Sequence, residues 1–140
     1  MKIREAVAAD ATTIAGLLEQ LGHPLSTDEV LKKIELFSSD GFRLLVCEIE
    51  KGVAGFISLH WFDKFHSIGK TGRITALCVD EKFRGIGIGR SLVIAGENLL
   101  TTKGCREIEV TTNMRRQLTP DFYRKNGYTE QSRHFIKSLI

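Results

Sequence analysis

Only two prolines, three cysteines and one tryptophan occur in 140 residues, and no apolar run approaches the ~18 residues a membrane span requires. Each scarcity excludes something. Cys47, Cys78 and Cys105 are odd in number and scattered, with no C-x-x-C or Cys/His spacing, so neither a disulfide scaffold nor a zinc site is expected. They read as reduced, mostly buried core residues. The longest apolar stretches, such as Val53–Leu59, are strand-sized, and no membrane partner is expected. Met1–Glu5 carries no apolar signal core, so a cytoplasmic location is the expectation. Charge of one sign is lacking too. Twenty Lys and Arg against 17 Asp and Glu give +3, too mild for a nucleic-acid partner, which usually needs a concentrated basic stripe. The short clusters Arg115-Arg116 and Arg124-Lys125 suit a small anionic ligand better than a duplex.

What is present is an ordinary globular composition, 42% apolar and 26% charged with 13 glycines. The length fits one domain, 1–140, able to bury its own core. Periodicity changes along the chain. Lys2–Ala8 alternates as a strand, and Asp10 is placed to cap a helix running to Leu21. Ser26 or Thr27 with Glu29 opens a second helix, with Val30, Leu31, Ile34 and Phe37 as its apolar side. Phe42–Glu50 and Val53–Trp61 around Lys51-Gly52 read as a hairpin. A polar loop over Asp63–Thr71 leads to a strand at Arg73–Val79. A helix follows from about Gly89 to Thr102, then a strand at Glu107–Thr112 and a short helix at Pro120–Lys125. Tyr128–Ile140 is left for a final hairpin or strand pair. The order predicts an α/β (α+β) fold with a mixed, mostly antiparallel central sheet flanked by helices.

The sharpest local feature is Val79-Asp80-Glu81-Lys82-Phe83-Arg84-Gly85-Ile86-Gly87-Ile88-Gly89-Arg90, a strand running through three alternating glycines into a helix. Such glycines clear side chains from a concave face and permit positive φ, so successive N–H groups can converge on one anion. The helix start adds unpaired donors, and Arg84 and Arg90 bracket the turn with positive charge. These features describe a pyrophosphate cradle, against the plainer reading of a flexible turn. Two nucleotide motifs fail here. A P-loop needs G-x-x-x-x-G-K-S/T, but Gly85…Gly89-Arg90-Ser91 is one residue short with Arg for Lys. A G-x-G-x-x-G fingerprint finds Arg90 or Leu92 where its third glycine belongs.

Arg84-x-x-Gly87-x-Gly89 matches the Gln/Arg-x-x-Gly-x-Gly/Ala motif of the GNAT N-acetyltransferase superfamily. The whole chain resembles this family, in its early helices, its hairpin and its glycine turn. Arg73–Val79 and Phe122-Tyr123-Arg124-Lys125-Asn126-Gly127-Tyr128 are also similar to common members. The resemblance implies the acyl-CoA N-acyltransferase fold and transfer of acetyl from acetyl-CoA to a primary amine by direct attack in a ternary complex, with no metal. It implies that the backbone of Leu77, Cys78 and Val79 pairs with pantetheine like an added strand. The amides of Arg84, Gly85, Ile86, Gly87, Ile88, Gly89 and Arg90 would hold the pyrophosphate. Asn113 would touch the cofactor, unless it is a plain turn residue, and the basic Met114–Leu118 departs from the smaller residues usual there. Tyr123 would be the general acid for the departing thiolate, with Tyr128 its internal rival.

Several assignments stay open. Cys78 as an acyl-carrying nucleophile lacks any Cys-His signature, and a buried strand cysteine is the simpler reading. His60, His66 and His134 are of the side-chain type that titrates near neutral pH, and His60-Trp61-Phe62 falls on the side where the family places acceptors. Glu109 is either a cleft base or a surface carboxylate. Trp61, Phe62 and Phe65 either line the acceptor pocket or form a contact in a homodimer, which the resemblance also implies. A non-catalytic acyl-CoA-binding regulatory module on the same scaffold is the alternative function, because fold alone does not fix activity.

Overall fold

A computed structural model describes residues 1–110, 120–131 and 134–140. Strand β1 (Lys2–Glu5) leads through a 3₁₀ turn into helix α1 (Ala11–Leu21), and helix α2 (Thr27–Leu36) follows. Strands β2 (Phe42–Ile49), β3 (Gly52–Asp63) and β4 (Lys70–Val79) come next, then helix α3 (Ile88–Thr102), strand β5 (Cys105–Val110) and helix α4 (Pro120–Lys125). The sheet order is β1-β2-β3-β4-β5; β1 to β4 are mutually antiparallel and β5 runs parallel to β4. Among the described residues, no helix is long and apolar enough to cross a membrane.

Alternation along the strands divides the core into two layers. Leu44, Val46, Phe56 and Cys78 face α1 and α2 and meet Ile14, Leu17, Val30 and Ile34. Leu45, Ile57, Leu59, Leu77 and Val79 face the other way, against Ile88, Leu92 and Leu100 of α3 and Tyr123 of α4. Successive residues of β4 therefore serve opposite layers. Tight turns at the layer edges need positive φ, and Gly41 (φ 90°) and Gly104 (φ 88°) supply it.

Three sequence expectations change, and the choice between two caps for α2 is decided. Asp10 adopts helical backbone angles and makes no side-chain cap bond to α1. Its buried carboxylate instead takes Arg4 Nη1 and Nη2 at 2.8 and 2.9 Å and the Val7 N–H at 2.8 Å. Ser26, not Thr27, caps α2, exchanging bonds with Glu29 at 3.1 and 2.9 Å. The supposed loop over Asp63–Thr71 shrinks, because Phe62 pairs with Thr71 and Asp63 with Lys70. A Lys70–Asp63 ion pair of 2.7 Å closes that end of the ladder. Finally, the described residues of Tyr128–Ile140 form no strand, and Phe135, Ile136, Leu139 and Ile140 are exposed.

The Arg4 guanidinium holds the Asp10 carboxyl below the usual carboxylate range, against the opposing effect of burial. A depressed folded-state value adds stability above the unfolded value of about 3.9, and that stability is lost as pH falls through the folded one. Asp10→Asn should cost about 3 kcal/mol in urea unfolding at pH 7, since it leaves Arg4 half-paired at a buried site. The difference from wild type should shrink toward pH 3.

Candidate functional site

Strands β4 and β5 share a ladder only from Lys70↔Cys105 to Ile74↔Val110. Beyond Ile74, the β5 side of β4 has no ladder partner among the described residues. A register shift at Ser58/Leu59, where Ser58 opposes Ala76 but Leu59 opposes Ile74, leaves Thr75 as an extra residue. This bulge bends β4 where it parts from β5. Thr75 Oγ1 lies 2.6 Å from Ser58 Oγ, which fixes the bend. Among the described residues, Thr75–Val79 therefore has no strand partner on that side, and the Val79 carbonyl accepts Arg84 Nε at 3.4 Å.

This stretch runs into the glycine turn. Asp80 accepts the Lys82 N–H at 3.0 Å, and Gln20 of α1 reaches both Asp80 Oδ1 at 3.4 Å and the Glu81 N–H at 3.0 Å. Gly85 (φ 84°) and Gly87 (φ 89°) are left-handed, with open space where a Cβ would stand. The first bond of α3 runs from the Ser91 N–H to the Gly87 carbonyl at 3.0 Å. The amides from Arg84 to Arg90 thus have no backbone acceptor among the described residues, and they sit at the positive end of a fifteen-residue helix. Arg84 and Arg90 are exposed beside them. Gly89 departs from the simplest reading of three phosphate-clearing glycines. It is buried, and a Cβ there would lie 3.4 Å from the Phe122 ring, so its smallness also seats α4 on α3.

Tyr123 is 7% exposed and packs in the α3-side core with its ring edge-on to Phe122 and Tyr128. Phe122 at Gly89 places α4 beside the glycine turn. Tyr128 donates to Glu97 Oε2 of α3 at 2.9 Å. Burial first, and then Glu97, push its phenol well above the usual value. Such a group gives up a proton poorly and serves as a structural tie. Cys78 is fully buried in the α1/α2 layer, its thiol 3.3 Å from the Leu17 carbonyl, and its backbone pairs with Phe56 of β3. Burial likewise raises the Cys47 thiol. Asn113 lies outside the described residues, as does the basic Met114–Leu118.

On the α1/α2 face, β2, β3, β4 and β5 contribute one cross-strand row, Phe42, His60, Arg73 and Glu109. Glu109 pairs with Arg73 (Nε to Oε1, 2.7 Å) and with Lys64 at 3.5 Å, so it is a salt-bridged carboxylate. Trp61 points to the opposite face and is buried under Arg43 and Lys103, each 5.4 Å from its ring, so it cannot line a pocket with Phe62. Phe65 is fully exposed at the β3–β4 turn.

Strand β4 thus runs directly into the glycine turn and the start of α3. Residues 40–130 match the family model described as Acetyltransferase (GNAT) domain. The chain belongs to the GNAT acetyltransferase family. It is 29% identical over 139 residues to an uncharacterized N-acetyltransferase of Chlorobaculum tepidum, covering 99% of this chain and 81% of that one. An aminoalkylphosphonate N-acetyltransferase of Salmonella typhimurium is 33% identical over 87 residues, 62% of this chain; the match spans only 56% of that relative's length. Among solved structures, a Trypanosoma brucei acetyltransferase superposes with a TM-score of 0.83 at 25% identity, covering 99% of both chains. An aminoglycoside N-acetyltransferase in complex with CoA gives 0.84 at 20% identity, over 99% of this chain and 95% of that one. The mostly antiparallel sheet flanked by helices is the GNAT fold.

Proposed function

We propose that this GNAT domain transfers acetyl from acetyl-CoA to a primary amine by direct attack in a ternary complex. The observation that carries the reading is that β4 beyond Ile74 runs into the Arg84–Arg90 amides, and that among the described residues the first has no strand partner on the β5 side and the second no backbone acceptor. The backbone of Leu77, Cys78 and Val79 pairs with the two amides of pantetheine, as a peptide adds to a sheet edge. The amides of Arg84, Gly85, Ile86, Gly87, Ile88, Gly89 and Arg90 hold the pyrophosphate, with side chains contributing only at the two arginines. Asn113, which lies outside the described residues, is assigned a cofactor contact. The deprotonated amine forms the C–N bond at the thioester carbonyl, whose oxygen is polarised by backbone N–H groups at the split. The C–S bond breaks, and Tyr123 gives its phenolic proton to the departing thiolate. A homodimer belongs to the same reading, with the exposed Phe135, Ile136, Leu139 and Ile140 as available apolar surface.

Initial velocities with both substrates varied test the direct route. Intersecting lines, and no acetylated enzyme by intact mass, are expected. Parallel lines with an acetyl group on Cys78 would replace direct attack by a covalent intermediate. The arginines have a separate signature. Arg84→Ala and Arg90→Ala should each weaken CoA modestly in calorimetry at low salt, and the loss should shrink at high salt as screening grows. No change in either at low ionic strength would make both mere surface residues.

A further inference from the structure

His60 is held more firmly than a strand-end histidine needs to be. Its Nδ1 lies 2.8 Å from the Gly41 carbonyl, which also accepts the Trp61 N–H at 2.9 Å. A carbonyl only accepts, so Nδ1 carries the proton and Nε2 holds the lone pair. The ring is clamped on both faces, by Phe42 at 4.3 Å and 15° and by Phe62 at 5.1 Å and 25°. Phe37 closes the stack edge-on beyond Phe42, and Arg73 caps it over Phe62 at 5.0 Å. No described residue makes a hydrogen bond to Nε2. The imidazole is oriented, and among the described residues its acceptor nitrogen is unused.

Its place in the sheet gives that nitrogen a task. His60 pairs across β3–β4 with Arg73, and the next residue of β4, Ile74, is the last to pair with β5. An arm laid along β4 from the Arg84–Arg90 cradle runs back through Val79, Cys78 and Leu77 toward Ile74, so its thioester end arrives at the split. His60 stands one strand away from that point, on the face of the sheet that α1 and α2 cover only in part. The charged groups on this face are Arg73 of β4, Glu107 and Glu109 of β5 and Lys64 of the β3–β4 turn, all joined in ion pairs. From the α2–β2 side, the neighbours are the Phe37 and Phe42 rings, and Asp40 of the intervening turn is exposed. The carboxylates of this face are thus committed to cations, and among its described residues the imidazole is the base left over.

We propose that His60 Nε2 is the base that deprotonates the acceptor ammonium, an assignment that rests on the transferase reading above. The ammonium N–H bond breaks and its proton goes to Nε2, giving the imidazolium; the freed amine lone pair forms the C–N bond. The C–S pair leaves on the thiolate, which takes a proton from Tyr123. The second nitrogen proton returns through water to the Tyr123 phenolate, and the imidazolium proton leaves to bulk water, so one proton is released per turnover and both side chains are restored.

The test measures thiol release from acetyl-CoA by the full chain against a panel of primary amines, followed by pH profiles of kcat/KM for the best acceptor. His60→Gln and His60→Ala should lower kcat/KM at neutral pH by about 10²-fold, with acetyl-CoA affinity by calorimetry unchanged. Both should lose the acidic limb that protonation of an imidazole imposes on the wild type, and added imidazole should restore part of the rate to His60→Ala. A His60→Gln protein with a wild-type circular dichroism spectrum that keeps its rate, or keeps the acidic limb, overturns the assignment while leaving the transferase reading intact. No thiol release from the wild type with any amine overturns both.

Discussion

Replacing Tyr123 by Phe should leave the fold and CoA binding unchanged and lower kcat by about 10²-fold, the usual cost of removing a general acid. The chemistry is matched, because phenols and thiols ordinarily titrate at about 10 and 8.5, so a proton passes between them without a large uphill step. Position supports the role as well. Phe122 anchors α4 on Gly89, which places Tyr123 at the end of α3 where the glycine turn lies. Tyr128→Phe provides the contrast. It removes the 2.9 Å bond to Glu97 of α3 and leaves a partly buried carboxylate short of a donor. That should cost about 1 kcal/mol, or about 3–4 °C in Tm, with kcat barely moved. If Tyr128→Phe proves the slower enzyme and Tyr123→Phe the less stable protein, the two roles are exchanged.

Gly87→Val should abolish measurable CoA binding while the far-UV circular dichroism stays near wild type. Gly87 is the left-handed N-cap of α3 at φ 89°. A residue with a Cβ pays about 1–2 kcal/mol to stay there, and a β-branched one is restricted further. Nothing lies within 4 Å of the added Cβ, so no protein atom is displaced. The valine therefore projects into the space where the amides converge, and the backbone relaxes away from the angles that aim them. Loss of binding without loss of fold follows from those two effects together. Gly89→Val should behave differently, since it strikes the half-buried Phe122 and loosens α4. A folded Gly87→Val protein with wild-type CoA affinity would remove the phosphate cradle from the account.

Much of this arrangement was legible in the sequence because it depends on local chemistry. Alternation in β2, β3 and β4 and the 3.6-residue period of α1, α2 and α3 mark the two core layers. The spacing Arg84-x-x-Gly87-x-Gly89 marks a turn that needs positive φ and small side chains. What escaped depends on tertiary partners. Asp10 is an N-cap residue type, but Arg4 of β1, itself paired with Glu48 of β2, draws Asp10 into one ion-pair cluster. The bulge at Thr75 leaves no trace in a run that reads as continuous strand. Trp61 and Phe62 look like one aromatic surface, yet strand alternation sends them to opposite faces. His60 reads as one histidine among four, and only the Gly41 carbonyl and the flanking Phe42 and Phe62 rings single it out. Tyr128 could be separated from Tyr123 in sequence only by its position after Gly127, whereas its bond to Glu97 shows it tied to α3.

The central claim is that the split between β4 and β5 is a working acetyl-transfer site. Incubating the purified chain with acetyl-CoA and a pooled library of primary amines, with thiol release followed continuously and products read by mass spectrometry, tests it most directly. The account predicts amine-dependent thiol release and a product heavier by one acetyl group, both abolished by Gly87→Val and slowed about 10²-fold by Tyr123→Phe. Tight CoA binding with no thiol release across the library would contradict it and leave a protein that binds acyl-CoA without transferring the acyl group.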